Sequence, residues 1–137
     1  MPSVVNVLKQ DHRAVEKLFS DFESSGDQST VDTICQELDV HMEVEERVVY
    51  PVLRDDVTGG TQMAQHAEKE HAEARQIVGR IRQTKDADHL SDLVQELKSA
   101  IEEHVQEEEG DVFPKMEQEL GNERLEQLGQ EVEAQKS

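Results

Sequence analysis

Along four long stretches of the chain, apolar residues recur at the alternating three- and four-residue gaps of amphipathic α-helices. Polar or glycine-containing segments such as "SSGDQS" and "DDVTGG" separate the stretches and indicate turns. The predicted helices run from about Val4 to Glu23, from Thr30 to Arg54, from just after Gly60 to Gln83, and from near Asp88 to the neighbourhood of Gly110 and Pro114. A shorter stretch, "NERLEQLGQEVEAQ", repeats the spacing and predicts a fifth, peripheral helix.

This order of elements predicts the fold class. The chain has no useful length of the two-residue alternation that is typical of β-strands, and connections this short favour antiparallel neighbours. We therefore expect an all-α protein, an antiparallel up-down four-helix bundle formed by residues 1–119, with a short C-terminal extra helix in residues 120–137. A chain of 137 residues is long enough for one such core.

Polar residues interrupt the apolar stripe of each of the four long helices. Every stripe contains one histidine, and in the second and fourth helices a glutamate follows that histidine by four residues. A lone histidine on an apolar face is commonly a hydrogen-bonded core residue. One histidine in each of four stripes favours a shared role instead. The six interrupting residues are His12, His41, Glu45, His71, His104 and Glu108.

The same residues belong to an internal repeat. The segment "HMEVEERVVYP", which begins at His41, aligns with "HVQEEEGDVFP", which begins at His104, and the segments around His12 and His71 also align. The chain is therefore predicted to contain two helical hairpins, residues 1–57 and 60–119. Each hairpin supplies one lone histidine and one His-x-x-x-Glu pair.

This spacing suits a metal centre. Residues four apart on an α-helix lie on one face, so a His-x-x-x-Glu pair can hold one small object. An unpaired buried carboxylate costs several kcal/mol, on the order of 3–5, which disfavours a metal-free core. Imidazole and carboxylate without thiolate indicate non-haem iron, with manganese or zinc as alternatives. Two ions bridged by Glu45 and Glu108, with two histidines on each, would use all six residues and leave room for solvent, an oxo or hydroxo bridge and an external ligand.

Other polar residues are expected to lie outside the site. On an ideal helix Tyr50 faces away from His41, so we expect it to serve packing, and Pro51 and Pro114 are expected to kink their helices. Glu16 is expected to pair with Arg13 or Lys17. Expected at the surface are His89, Glu46, Glu109 and His66, and for His66 a reserve ligand or a gate of the site is the alternative role.

Composition narrows the possible partners. The formal net charge of −18 opposes binding to nucleic acid or to an anionic membrane, and it suits cations. The chain has no run of about 18 apolar residues and no signal-peptide pattern at its start. Cys35 is the only cysteine, which is typical of a reducing compartment. We therefore expect a cytoplasmic protein without a membrane partner, and we expect a monomer.

The full set of residues resembles the hemerythrin-like, or HHE cation-binding, family. The resemblance spans about residues 4–118 and implies an antiparallel four-helix bundle around a non-haem di-iron centre, ligated by the six residues, that reacts with oxygen or related small ligands. Oxygen-carrying hemerythrins have a fifth histidine, but the positions four away from His71 are Ala67 and Arg75. They also have an aspartate where this chain has Glu109, whereas the apolar stripe selects Glu108. The ferritin-like Glu-x-x-His motif occurs at Glu68, but its second copy is absent.

We derive three hypotheses about function. The first is a hemerythrin-like di-iron protein that binds or reacts with dioxygen, hydrogen peroxide or nitric oxide, with catalase-like peroxide decomposition as its reaction if it is an enzyme. The second is a non-catalytic sensor of iron or oxygen, or an iron-binding module. The third is a metal-free acidic bundle that acts through its surface.

Overall fold

The structure, a computed structural model, describes residues 2–136, and nearly all of them are helical. A π-helical turn interrupts the second and fourth long helices, and each turn leads into a short α-helix. The elements are α1 Val4–Ser25, α2 Gln28–Val44, the first π turn Glu45–Val49, α3 Tyr50–Asp56, α4 Gly60–Gln83, α5 Ala87–Glu107, the second π turn Glu108–Val112, α6 Phe113–Glu119 and α7 Asn122–Lys136. The predicted fold class, a four-helix bundle with a C-terminal extra helix, is confirmed.

Local signals in the sequence explain where the bundle helices begin and turn. The Ser3 hydroxyl accepts a hydrogen bond from the Asn6 amide at the start of α1. Gly26 ends α1 with a φ of 67°, a left-handed conformation that glycine adopts without strain. At the next connection, a Cβ atom on Gly60 would lie 1.6 Å from the Leu53 carbonyl oxygen, so only glycine fits there. These turns return the chain antiparallel to itself.

The two π turns lie directly before prolines. The Tyr50 amide donates to the Glu45 carbonyl, and the Phe113 amide donates to the Glu108 carbonyl, so each bond spans five residues. Pro51 and Pro114 follow at the next position. A proline has no N–H to donate and its ring clashes with the carbonyl four residues earlier, and a wider turn relieves that conflict. The irregularity expected from the prolines therefore takes the form of a π turn in both hairpins.

The core consists of two hydrophobic clusters separated by a polar layer. On α1, Leu8 belongs to the first cluster and Val15 to the second, with His12 between them. The first cluster also holds residues of α3, α6 and α7, whereas the second fills the opposite end of the bundle. The six histidines and glutamates of the predicted site form the layer between the clusters.

Helix α7 packs mainly against α1 and the first π turn. Its apolar residues Leu125, Leu128 and Val132 are buried in the first cluster. A Cβ on Gly129 would lie 2.5 Å from the Pro2 carbonyl oxygen, which shows how closely α7 approaches the start of the chain. The division into a bundle of residues 1–119 and a peripheral segment of residues 120–137 stays a prediction.

We also compared the helices with the requirements of a membrane span. None of those in residues 2–136 has both the length and the apolar run that crossing a bilayer would need.

Candidate metal centre

The structure brings all six predicted site residues together in the layer between the two clusters. We call these six residues the inner ring. Every one of them is buried, with exposed fractions between 0% for Glu45 and 7% for His41. Their potential ligand atoms form two overlapping groups that share Glu45. One group is His12, His41, Glu45 and Glu108, and the other is Glu45, His71 and His104. The predicted convergence is confirmed, whereas the ligand roles stay a prediction.

The four histidines form two pairs, one from each hairpin. The first histidine pair is His12 of α1 and His41 of α2, whose ring centroids are 5.0 Å apart. The second histidine pair is His71 of α4 and His104 of α5, at 4.8 Å. The ring planes are inclined by 64° in the first pair and 63° in the second. The internal repeat of the sequence therefore appears as a repeated geometry.

The two glutamates lie between the pairs. Glu108 places Oε1 3.1 Å from Nε2 of His12 and Oε2 3.4 Å from Nε2 of His104, so it contacts both pairs. Glu45 places Oε1 3.3 Å from Nε2 of His41 and 3.1 Å from Nε2 of His71. Each carboxylate thus reaches a histidine of either pair, which is the arrangement that two bridging ligands would have.

Four outer carboxylates orient the histidines. An ionised carboxylate can only accept a hydrogen bond, so the Nδ1 atom facing it carries the proton and Nε2 faces inward. Asp11 and Glu70 occupy equivalent positions, because each directly precedes the lone histidine of its hairpin. The Nδ1···O distances are 2.7 Å from His12 to Glu109, 3.2 Å from His41 to Asp11, 2.7 Å from His71 to Glu46 and 2.8 Å from His104 to Glu70.

Several buried polar atoms of the site have no hydrogen-bond partner. Within the described residues these are the Nε2 atoms of His12 and His41, Oε2 of Glu45 and Oε1 of Glu108. A buried polar atom without a partner costs about 1–3 kcal/mol, and more when it is charged. All four atoms belong to histidines or glutamates of the buried polar layer. Their chemistry, imidazole nitrogen and carboxylate oxygen, fits a cation, because a metal ion would satisfy each of them.

Tyr50 belongs to this site, so the expectation that it only serves packing is wrong. It is fully buried, and its hydroxyl lies 3.2 Å from Oε1 of Glu45, 3.3 Å from Oε2 of Glu108 and 3.0 Å from Nε2 of His71. On an ideal α-helix Tyr50 would point away from Glu45, five residues earlier. The first π turn brings residues five apart onto the same face, and the apolar and polar pattern gives no signal of such a turn.

The expectation that Glu46 and Glu109 are solvated is also wrong. The Glu46 side chain is only 26% exposed and that of Glu109 only 22%. Besides holding a histidine, Glu46 accepts two hydrogen bonds from Arg75, and Glu109 pairs with Arg13. Each glutamate extends from its own hairpin to the lone histidine of the other, a long-range contact that periodicity within one helix cannot reveal.

The expectations for the remaining polar residues are confirmed. His89 is exposed, and the His66 side chain is 59% exposed. Glu16 is exposed and lies 3.3 Å from Nε of Arg13.

Proximity of opposite charges shifts the pKa values of the inner residues. Burial alone would lower the pKa of His41, but the charge of Glu45 and the bond to Asp11 raise it to about 10. For His104, burial would likewise lower the pKa, but the charge of Glu108 raises it well above its usual value. For Glu45, burial would raise the pKa, yet His41 lowers it well below its usual value. The metal-free site therefore holds protons that a bound cation would displace.

A small cavity of about 20 Å³ adjoins the site. Its walls are the inner histidines, the carboxylates Asp11 and Glu70, and apolar residues of the second cluster, among them Val15, Leu38, Met42, Ala74 and Ile101. A volume of this size accommodates about one water-sized molecule. The cavity therefore suits a very small ligand next to the inner ring.

The chain was compared with known proteins. The model of the family described as "Hemerythrin HHE cation binding domain" matches residues 3–116. A crystal structure of a hemerythrin HHE cation binding domain-containing protein from Mycobacterium kansasii superposes with a TM-score of 0.84 at 24% identity, covering 99% of this chain and 86% of that one, which supports the fold. A protein of Nostoc sp. named DNA nickase is 29% identical over 140 residues, which is 98% of this chain but 39% of the relative's length.

The Nostoc relative is therefore much longer than the part that this chain matches. The family model, in contrast, matches most of this chain, and the matched residues include the whole inner ring. The chain belongs to the hemerythrin HHE cation-binding domain family.

Proposed function

We propose that this protein is a non-haem di-iron protein that binds or reacts with dioxygen, hydrogen peroxide or nitric oxide. The observation that carries the proposal is the set of inward-facing imidazole nitrogens and carboxylate oxygens that are buried without hydrogen-bond partners in the described part of the chain. Without a cation, protons on the histidines must balance these carboxylates, and a bound metal ion would replace those protons and satisfy each of these atoms. Iron is preferred to manganese or zinc because the donors are imidazole and carboxylate without thiolate.

In this proposal the six inner residues hold the metal. His12 and His41 would hold the metal on one side and His71 and His104 on the other, and Glu45 and Glu108, which contact both pairs, would hold it between them. A non-haem iron centre of this kind supplies redox chemistry and open positions for a small ligand. The outer carboxylates keep each Nε2 directed inward, and their negative charges favour a cation.

The surroundings of the ring favour small ligands. The adjoining cavity of about 20 Å³ has mostly apolar walls, which exclude larger polar molecules. Burial and the neighbouring carboxylates raise the pKa of Tyr50 well above its usual value, so its hydroxyl stays protonated and can donate a hydrogen bond beside the ring. The net charge of −18 repels phosphate backbones, so our proposed partners are small molecules rather than nucleic acid.

Metal analysis and the visible spectrum of protein purified from iron-fed cells test this proposal. We expect about two irons per chain and a ferric absorption band. Glu45→Ala, which changes a carboxylate that contacts both histidine pairs, should lose both irons and His41→Ala about one, whereas His89→Ala, which changes an exposed histidine, should retain both. A colourless wild-type protein without metal, or equal iron retention in all three variants, would contradict the proposal.

A second measurement separates an enzyme from a sensor. If the protein decomposes peroxide, adding hydrogen peroxide to the iron-loaded chain should release dioxygen at a rate proportional to bound iron. Glu45→Ala should release none above the background of free iron. Iron-loaded protein that binds nitric oxide but releases no dioxygen from peroxide would support the sensor alternative and refute the catalase-like reaction.

A further inference from the structure

A second group of metal-binding side chains lies at the surface near the second histidine pair. His66 and Glu70 of α4 have the same His-x-x-x-Glu spacing as the inner pairs, and Glu107 of α5 faces them. Nε2 of His66 lies 2.9 Å from Oε2 of Glu107 and 3.5 Å from Oε2 of Glu70. One potential ligand atom from each residue lies within 4.8 Å of the other two. We call these three residues the outer triad.

The outer triad lacks the basic partner that the other outer carboxylates have. Asp11 is paired with Lys136, Glu46 with Arg75 and Glu109 with Arg13. Within residues 2–136, no lysine or arginine forms an ion pair with Glu70 or Glu107. Two adjacent carboxylates repel each other, and a cation between them removes the repulsion. Among the outer carboxylates of residues 2–136, Glu70 is therefore the one whose negative charge is not paired with a lysine or arginine, and an incoming cation can bind it.

The outer triad also lines a surface pocket that borders the inner ring. The pocket has a volume of about 330 Å³, and its walls include all three residues together with His104 and Glu108. Glu70 connects the two levels, because Oε1 accepts the His104 hydrogen bond while Oε2 faces His66. At the inner end, the buried Glu108 turns Oε2 to His104 and Oε1 to Nε2 of His12, and this Oε1 has no hydrogen-bond partner among the described residues. The carboxylates of Glu70 and Glu108 therefore connect the triad with both histidine pairs.

We propose that the outer triad is a cation site that captures a ferrous ion on its way to the buried centre. One imidazole and two carboxylates suit this ion. The triad offers three protein ligands on a solvent-facing surface, so it holds the ion less tightly than the inner residues and passes it inward. The inference rests on the proposed function, because it assigns a route to the same centre.

The test compares metal loading of two double variants. His66→Gln/Glu107→Gln removes two triad residues and keeps Glu70, which positions His104. His89→Gln/Glu126→Gln removes the same residue types at other exposed positions and serves as the matched control. Stopped-flow absorbance after mixing metal-free protein with Co²⁺, a coloured substitute for Fe²⁺, should show loading of the triad variant slowed by about tenfold, with the final stoichiometry unchanged. The control should load at the wild-type rate.

Mn²⁺ titration followed by electron paramagnetic resonance tests the triad directly. Wild-type protein already loaded with iron should bind one further, weaker Mn²⁺ per chain, and the triad variant should not. Equal loading rates in both double variants, or an equal further Mn²⁺ in all three proteins, would overturn the outer site. If the inner ring of the wild type takes up no metal, the proposed function fails, and the outer site is then decided by titrating metal-free protein with Mn²⁺, where the wild type should bind one ion per chain and the triad variant none.

Discussion

The two hairpins place equivalent residues around one centre but support them differently. In the first hairpin, Asp11 holds His41 and is itself held by Lys136 at the end of α7, with an Nζ···Oδ1 distance of 2.6 Å. In the second hairpin, Glu70 holds His104, and His66 is its only other partner of opposite potential charge among the described residues. Asp11 is thus covered by a partly buried ion pair with Lys136, whereas Glu70 borders a surface pocket.

The aromatic residues after the π turns differ in the same way. Phe113 of the second hairpin stacks on His12 of the first, with ring centroids 5.9 Å apart and planes inclined by 9°. Tyr50 of the first hairpin lies against His71 of the second at 5.3 Å and adds a hydroxyl that reaches both glutamates. The inner ring is thus nearly symmetric, whereas of these two aromatic neighbours Tyr50 carries a proton donor and Phe113 does not.

This difference shows which features the repeat constrains. The inner residues follow from spacing that both hairpins share, so they match closely. Helix α7 packs mainly on the first hairpin, and within residues 2–136 no equivalent helix packs on the second, so the outer contacts diverge. The shared ring suits binding of metal, and the unequal surroundings suit access and reactivity.

The largest effect is expected from a residue that both histidine pairs contact. Glu108→Ala removes oxygens next to His12 and next to His104, so both ions should be lost. His12→Ala removes a residue of the first pair only and should leave about one ion bound. Metal analysis by mass spectrometry checks both variants. If His12→Ala loses as much metal as Glu108→Ala, the two sides are not separable.

The next effect is on the pH dependence of stability in metal-free protein. The folded pKa of His41 is about 10 against a usual 6.5, so its stabilisation is complete below pH 6.5 and disappears as the pH rises to about 10. The pKa of Glu45 is lowered from 4.5, so its stabilisation is complete above pH 4.5 and is lost as the pH falls further. Urea unfolding should therefore show maximal stability between these values. His41→Gln should flatten the alkaline limb in part, because His104 of the other pair remains.

A smaller effect is expected at the outer carboxylates. Asp11→Asn and Glu70→Gln each remove the negative charge that orients a histidine, so each should weaken metal binding by about 10- to 100-fold. The loss should be greater for Asp11→Asn, since it also leaves Lys136 without its partner. Competition with a chelator measures the affinities, and Asp92→Asn on the exposed face of α5 is the control. Wild-type affinity in both variants would show that these carboxylates do not act on the metal site.

The smallest effect is expected from exchanging the aromatic residues. Tyr50→Phe removes a buried hydroxyl that lies beside two carboxylates, and it should destabilise metal-free protein by about 1.5–3 kcal/mol. Phe113→Tyr inserts a hydroxyl into the first cluster and should cost about 1–3 kcal/mol unless it finds a partner. Urea unfolding of both variants checks the comparison. Tyr50→Phe with unchanged stability would mean that the hydroxyl contributes no net hydrogen bond.

By itself the sequence determined the bundle and its inner ring. Three- and four-residue spacing is a property of a single helix, so it revealed the four long helices and the six polar residues on their buried faces. The internal repeat then matched His12 with His71 and His41 with His104. In the structure the matched residues occupy equivalent places in two similar histidine pairs, His12 with His41 and His71 with His104.

Only the tertiary structure decided the surroundings of the ring. Tyr50 enters the site because a π turn shifts its direction, and Glu46 and Glu109 reach histidines of the opposite hairpin. Lys136 reaches Asp11 across 125 positions of the chain. Such contacts depend on how helices pack against one another, and periodicity along one helix carries no information about them.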